Sequence, residues 1–221
     1  MRFEETYSPT INALTYGVLQ DIGIIDEMVQ RLVDTVGAYL HQDYPDEAKP
    51  LFVMLERNVA LVCGLDPSVW YRVRKYIYGL PDAGRAYYMA YSKVLQDAGY
   101  DKSRTDPCLF YNVDAHNRIY IWIHVDDTYV CASNTAIADA FVVDVQRHFP
   151  VTVKEDVDNY VGINFERLSD GSLKLTQHRI LDDLFKSHDI VEKPITRTHI
   201  AYSSGKRSLM TEHRTYDYWG L

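Results

Sequence analysis

An α+β domain, built on an antiparallel sheet with helices on one face, is the fold class this sequence predicts. Segments of helical period alternate with β-rich runs in the order helix, strand, helix, hairpin, helix, hairpin, helix, which an antiparallel sheet backed by helices satisfies best. Asp170-Gly171, between two β-rich runs, is the strongest short hairpin signal in the chain. The 221 residues are 47% hydrophobic and 24% charged, enough apolar material for one core and marginal for two, with no repeat or low-complexity tract.

Residues 9–25 contain few breakers and predict the first helix. Residues 28–34 follow, with Val29, Arg31 and Val33 alternating against Gln30, Leu32 and Asp34, a strand that ends on an acidic residue. Pro45 and Pro50 frame a polar loop over 42–49. Pro81 and Asp82 open a clearer helix, in which Tyr87, Ala90, Tyr91, Val94, Leu95 and Ala98 recur at three- and four-residue steps until Gly99 stops it. Runs 108–112 and 118–125 are adjacent strands; Asp126 and Asp127 interrupt the second, and a returning strand resumes over 128–132. Ile137, Phe141 and Val145 mark a helix over 134–148, ended by Pro150. Runs 160–167 and 172–176 flank Asp170-Gly171, and a short helix follows over 178–187 with Ile180, Leu181, Leu184 and Phe185 on one side. From residue 193 to 221 no pattern is strong.

Composition narrows the function classes. Cys63, Cys108 and Cys131 are odd in number and far apart, against a disulfide framework or a zinc site, and read as buried thiols. No apolar run approaches the ~20 residues that span a bilayer and the first residues lack a signal-peptide core, so an intracellular, cytoplasmic protein with no membrane partner is expected. The 31 acidic against 23 basic residues give a net charge of −8, a field that repels phosphate backbones unless basic residues cluster. Arg72, Arg74 and Lys75 form one such knot; Lys206, Arg207, His213 and Arg214 enrich the C-terminus.

The chemistry rests on Asp126 and Asp127. Two ionised carboxylates between apolar strands repel each other, and a divalent cation relieves the repulsion; alternatively the pair is a solvated hairpin turn. The flanks, residues 120–125 and 129–131, are too apolar for a turn that merely sits in water. Magnesium takes one or two carboxylates plus waters and phosphates, and a third carboxylate from another strand would complete the site; Asp34, at the end of its strand, is the candidate.

These residues fall into a longer series. Tyr78-Gly79-Leu80, Ala83, Arg85-Ala86-Tyr87-Tyr88, then Asp106-Pro107-Cys108-Leu109-Phe110, Val125-Asp126-Asp127 and Tyr160-Val161-Gly162-Ile163 stand in order, preceded by Glu4-Glu5-Thr6-Tyr7-Ser8-Pro9 and by Asp34 with Ala38-Tyr39-Leu40-His41. From about residue 3 to 190 the series resembles the reverse transcriptases of copia-like (Pseudoviridae-type) retrotransposons. The resemblance implies a polymerase palm with a ferredoxin-like antiparallel sheet and partial fingers. It divides the chain into 1–44, the first part of the palm with Asp34; 45–80, a residual fingers-like insertion; 81–176, the main palm; and 177–221, the start of a truncated thumb or connection.

It further implies RNA-directed DNA polymerisation on two Mg2+ ions, or Mn2+, held by Asp34, Asp126 and Asp127, with Asp34 and Asp126 the stronger ligands. Tyr39 would lie beneath the incoming sugar and refuse a ribose 2′-hydroxyl; Arg85 would meet template or nucleotide; Lys154 would act near the leaving pyrophosphate. The partners implied are a primed RNA or DNA template, deoxynucleoside triphosphates and the rest of the polyprotein, in a virus-like particle if the element is active. Two positions depart from the pattern: His124, before Val125, replaces an aromatic residue, usually tyrosine, and Pro81-Asp82 replaces Lys-Gln, with reduced activity expected. The family's basic fingers strands and its ribonuclease H region have no counterpart here, so the expectation is a fragment cut short at both ends. Two other functions compete: a catalytically dead remnant or interaction module, and a metal-dependent nuclease using the same carboxylates.

Overall fold

The computed structural model of the chain describes residues 6–155, 157–169 and 172–188, with two short strands at 200–201 and 208–209. Glu4-Glu5, the Asp170-Gly171 turn, the C-terminal basic residues and most of 193–221, including the thumb-like 216–221, lie outside the described residues. The chain divides into two compact units, Met1–Val161 with Phe165–Lys174, and Gly162–Asn164 with Leu175–Leu221.

The first unit opens with α1 (Ala13–Ile25) and β1 (Val29–Thr35). Helix α1 starts later than its sequence suggests because Asn12 sets the boundary. Its side chain accepts the Leu14 N–H at 2.9 Å, while its own N–H donates to the Asp106 carboxylate at 3.2 Å. A 3-10 turn, Ala38–His41, follows β1 after Gly37 takes a left-handed φ of 63°. Strands β2 (Phe52–Met54) and β3 (Trp70–Arg72) form a separate hairpin, with α2 (Arg57–Val62) between them. Beyond them run α3 (Ala83–Asp97), β4 (Asp101–Lys102), β5 (Leu109–Val113), β6 (Arg118–His124), β7 (Asp127–Ala132), α4 (Thr135–Gln146) and β8 (Val151–Lys154).

Six of these strands make one antiparallel sheet, in the order β4-β5-β6-β7-β1-β8. Side chains alternate between its faces, and residues opposite one another across a ladder share a face. On one face Val33, Phe110, Ile119, Ile121, Ile123, Val130 and Ala132 pack against Tyr87, Tyr91 and Leu95 of α3 and Phe141 and Val145 of α4. Two buried hydroxyl pairs fasten α3 to that face, Tyr87 to Thr35 at 2.8 Å and Thr128 to Tyr91 at 2.9 Å. The periodicity predicted for both helices is what produces this layer.

The expectation that all helices share one face fails for α1. Tyr16 of α1 lies edge-on to Trp122 and Tyr129, with ring centroids 6.4 and 6.1 Å away, and both of those residues point away from α3 and α4. Gly23 brings the α1 backbone against the same side: a Cβ there would lie 2.6 Å from the Cys131 sulfur. The physical reason is that Trp122, Tyr129 and Cys131 make the second face apolar too, so it also needs cover. Gly23→Ala is therefore expected to lower unfolding free energy by about 1–2 kcal/mol, the crowding outweighing the ~1 kcal/mol helix-propensity gain. Chemical denaturation checks this, and Cys131→Ala in the same chain should recover most of the loss.

Other expectations change in detail. The single strand expected over 160–167 is broken into β9 (Asn159–Tyr160) and β10 (Ile163–Arg167), because Val161 and Gly162 both adopt positive φ, 48° and 75°. Strand β11 (Leu173–Thr176) follows, and the Leu168 N–H donates to the Ser172 carbonyl at 2.8 Å across the predicted hairpin. The second unit contains α5 (His178–Ser187) and the short ladder of β12 (Ile200–Ala201) and β13 (Ser208–Leu209).

Cys63 corrects the reading of three buried thiols. It is exposed after α2, whereas Cys108 and Cys131 are buried and pushed up to about 12, chiefly by burial. The basic knot is internally paired: Arg72 and Arg74 reach Asp46 at 3.1 and 3.5 Å, and Lys75 reaches Asp43 at 2.9 Å. No described helix is long and apolar enough to cross a membrane.

Candidate active site

Strands β6 and β7 are joined by Val125 and Asp126 alone, so the two acidic residues stand at the tip of a two-residue hairpin. Val125 has a φ of 57°, a conformation that a β-branched residue rarely adopts and that glycine fills in turns of this length. Such a residue stores about 1–3 kcal/mol of backbone strain, held here by the ladders on either side. The tip is also tied to β1: the Thr35 N–H donates to the Asp126 carbonyl at 3.0 Å.

Register then brings together residues more than ninety positions apart. Asp34 of β1 is the ladder partner of Asp127 of β7, which in turn faces His124 of β6. On the other side Asp34 faces Thr152 of β8, whose hydroxyl donates to the Asp34 carboxylate at 3.4 Å. His124, Asp127, Asp34 and Thr152 thus form one row across four strands on one face, and Asp126 sits beside it at the tip. All three aspartates are half-buried.

Electrostatics follows from that row. The Asp127 carboxyl is held above its ordinary value first by burial, then by the charges of Asp126 and Asp34, while His124 pulls it down. Asp127 therefore lies in the field of the other two carboxylates. Among the described residues no three His, Cys, Asp or Glu side chains converge into a ready-made cage for a metal ion. The donor set nevertheless suits a hard divalent cation, since two facing carboxylates and a third at the tip supply oxygen ligands. Beside them, among the described residues, the buried Nδ1 of His124 has no hydrogen-bond partner.

A pH dependence follows. A carboxyl whose folded pKa is raised binds its proton more tightly in the folded state, so the stability it contributes is present at low pH and lost as pH rises through the folded value. With a chelator present at neutral pH, Asp127→Asn is expected to melt at a higher temperature than wild type. The gain should shrink as pH falls through the raised folded value toward the ordinary carboxylate value, ~4, and be absent below it. Thermal unfolding at several pH values checks both.

The family model described as "Reverse transcriptase (RNA-dependent DNA polymerase)" matches residues 1–200. The chain belongs to this reverse transcriptase family. Its relatives include two retrovirus-related Pol polyproteins of Arabidopsis thaliana, from transposons RE2 and RE1. They are 28% identical over 194 residues and 27% identical over 220, covering 87% and 96% of this chain. The Pol polyprotein from transposon TNT 1-94 of Nicotiana tabacum is 20% identical over 200 residues, 88% of the chain. The match is to copia-type Pol polyproteins, and the chain spans only 13% to 14% of the length of these three.

Within this reverse transcriptase domain the other predicted residues have definite surroundings. Tyr39 stands on the 3-10 turn, half-buried, its ring 6.2 Å from Tyr87 and 4.5 Å from Tyr78. Tyr87 beside it is bonded to Thr35, whose N–H donates to the Asp126 carbonyl, which sets Tyr39 near the hairpin tip; burial and then the Asp126 charge raise its phenol above the usual range. Arg85, in the first turn of α3, donates to the Tyr7 carbonyl at 3.3 Å and so braces the N-terminal segment. Lys154 faces Leu32 on the same side of the sheet as Asp34, and its ammonium is paired with Asp158. Asp82, one of the two departures, accepts a hydrogen bond from the Tyr76 hydroxyl at 3.3 Å and caps no helix N–H with its side chain.

Three participants are absent from the predicted site. Tyr78 stacks on Tyr39, and burial followed by the charges of Asp126 and Asp34 raises its phenol. Its only sequence signal is an aromatic residue beside Gly79 just before α3. Thr152 has no signal at all, being chosen by the β1–β8 register. Asp106 was visible as part of a motif, but its work is structural: it is 2% exposed and accepts the Cys108 and Asn12 N–H groups at 2.9 and 3.2 Å.

Proposed function

We propose that this chain is the palm of a copia-type reverse transcriptase and performs RNA-directed DNA polymerisation by two-metal nucleotidyl transfer. The observation that carries the reading is the Asp34–Asp127 ladder pair with Asp126 at the adjoining tip. The strand order β6-β7-β1-β8, with α3 before β6 and α4 before β8, supports a ferredoxin-like palm, since it is the order of a β-α-β-β-α-β split sheet.

Two Mg2+ ions, or Mn2+, bound by Asp34, Asp126 and Asp127 would lower the pKa of a primer 3′-hydroxyl and neutralise charge on the triphosphate. The chain's own contribution is positioning. The β1, β6 and β7 ladders fix Asp34 and Asp127 on one face with Asp126 at the adjoining tip, and Thr152 orients the Asp34 carboxylate by its hydrogen bond. Tyr39 offers an aromatic wall near the tip, against which a 2′-hydroxyl would collide. Lys154 lies on the same face for the leaving pyrophosphate, and must leave Asp158 to reach it. The substrates in this reading are a primed RNA or DNA template and deoxynucleoside triphosphates.

A labelled primer annealed to an RNA template tests it. Lengthening that requires both Mg2+ and deoxynucleotides supports the polymerase. Shortening with Mg2+ alone would transfer the same carboxylates to a nuclease, and an unaltered primer in every lane would make the chain a catalytically dead remnant.

A further inference from the structure

Tyr39 is held between two rings of opposite character. On its inner side is Tyr87, 1% exposed and pinned by its hydroxyl to Thr35 at 2.8 Å. On its outer side is Tyr78, 56% exposed, with its centroid 4.5 Å from that of Tyr39 and its plane inclined by 41°. The Tyr39 hydroxyl reaches the first turn of α3, where a Cβ on Gly84 would stand 3.6 Å from it. Tyr78 is itself fixed by its loop: the Tyr76 N–H donates to the Gln42 carbonyl at 3.0 Å, the Tyr76 side chain is buried, and Gly79 turns the chain at a φ of 93° into α3. A largely exposed ring packed onto a half-buried one limits the rotamers of the inner ring and presents its own outer surface to solvent.

We propose that Tyr78 is a positioning residue for sugar selection: it backs Tyr39, so that the tilted pair, and not Tyr39 alone, forms the wall that refuses a ribose 2′-hydroxyl. This rests on the polymerase reading and adds to it a residue outside the carboxylate row. Both phenols also lie in the field of Asp126, which agrees with a wall beside the hairpin tip. An aromatic contact of this kind is equivalent to about three- to tenfold in a rate ratio.

The test is single-nucleotide incorporation by the intact chain, comparing kcat/KM for a deoxynucleotide with that for the matching ribonucleotide. Tyr78→Ala should lower the ratio about three- to tenfold, through a lower KM and higher kcat for the ribonucleotide, while Tyr78→Phe keeps it. Tyr39→Ala should lower the ratio at least as far, and adding Tyr78→Ala to it should lower it no further. A ratio unchanged in Tyr78→Ala but lowered in Tyr39→Ala overturns the inference and leaves the polymerase reading standing. So does strict additivity of the two substitutions. A wild-type chain that incorporates neither nucleotide overturns the polymerase reading, and this inference with it. Because Tyr78 is largely exposed, its alanine variant should fold, and an unfolding cycle on Tyr39 and Tyr78 should also find the pair coupled.

Discussion

Asp34→Asn is expected to lower primer extension by at least about 10³-fold, equivalent to ~4 kcal/mol of transition-state stabilisation, with the fold intact. Asp34 is half-buried and its carboxylate faces Asp127 across the β1–β7 ladder, so the amide fits the same space while removing one charge from the proposed cation site. The Thr152 hydroxyl donates to this carboxylate, and an amide oxygen also accepts that bond, so stability should be little changed. Relief of repulsion on Asp127 makes the metal-free variant, if anything, harder to melt. The combination is diagnostic. An active-site carboxylate loses activity and keeps or gains stability, whereas a merely structural aspartate would lose both.

The opposite pattern is expected at Asp106. Its carboxylate is almost fully buried and takes the N–H of Cys108 at the start of β5 and the N–H of Asn12 at the cap of α1. Removing it leaves two backbone donors without their partner and loosens the junction between α1 and the sheet. Asp106→Ala should therefore destabilise by about 3–4 kcal/mol, at ~1–3 kcal/mol for each orphaned donor. Asp106→Asn should fall between, since an amide oxygen still accepts. Urea denaturation of the two variants against wild type gives the numbers, and equal stability of Asp106→Ala and wild type would show the latch to be idle.

The contrast between those two aspartates also marks what the sequence could carry. Helix α3 and the β6–turn–β7 hairpin were legible because their signals are local: three- and four-residue steps of Tyr87, Tyr91 and Leu95, and two acidic residues interrupting an apolar run. The opposition of Asp34 to Asp127 was not derivable from periodicity, because a register between strands over ninety residues apart is fixed by core packing and not by neighbours in the chain. Asp34 is nonetheless a candidate third carboxylate because it ends a strand, and the resemblance to known reverse transcriptases strengthens that grouping without giving the register.

Two misreadings and one omission have the same origin. Helix α1 was assigned to the wrong face because its weak periodicity does not reveal that Trp122, Tyr129 and Cys131 leave a second apolar surface to cover. The break at Val161-Gly162 was missed because valine gives no warning of a positive φ. Tyr78 was quoted only as part of a motif, since nothing in sequence spacing says that residues 39 and 78 share a contact. In each case the deciding interaction is tertiary, and the local signal is neutral or points the other way.

The most direct measurement for the whole account is a Mn2+ titration of wild type and Asp34→Asn, followed by calorimetry or by the electron paramagnetic resonance of the free ion. If Asp34, Asp126 and Asp127 form one cation site, wild type binds Mn2+ and Asp34→Asn binds it at least about tenfold more weakly, as loss of one charged ligand requires. Equal affinity in the two proteins, or no binding in either, would contradict a shared site across the β1–β7 ladder.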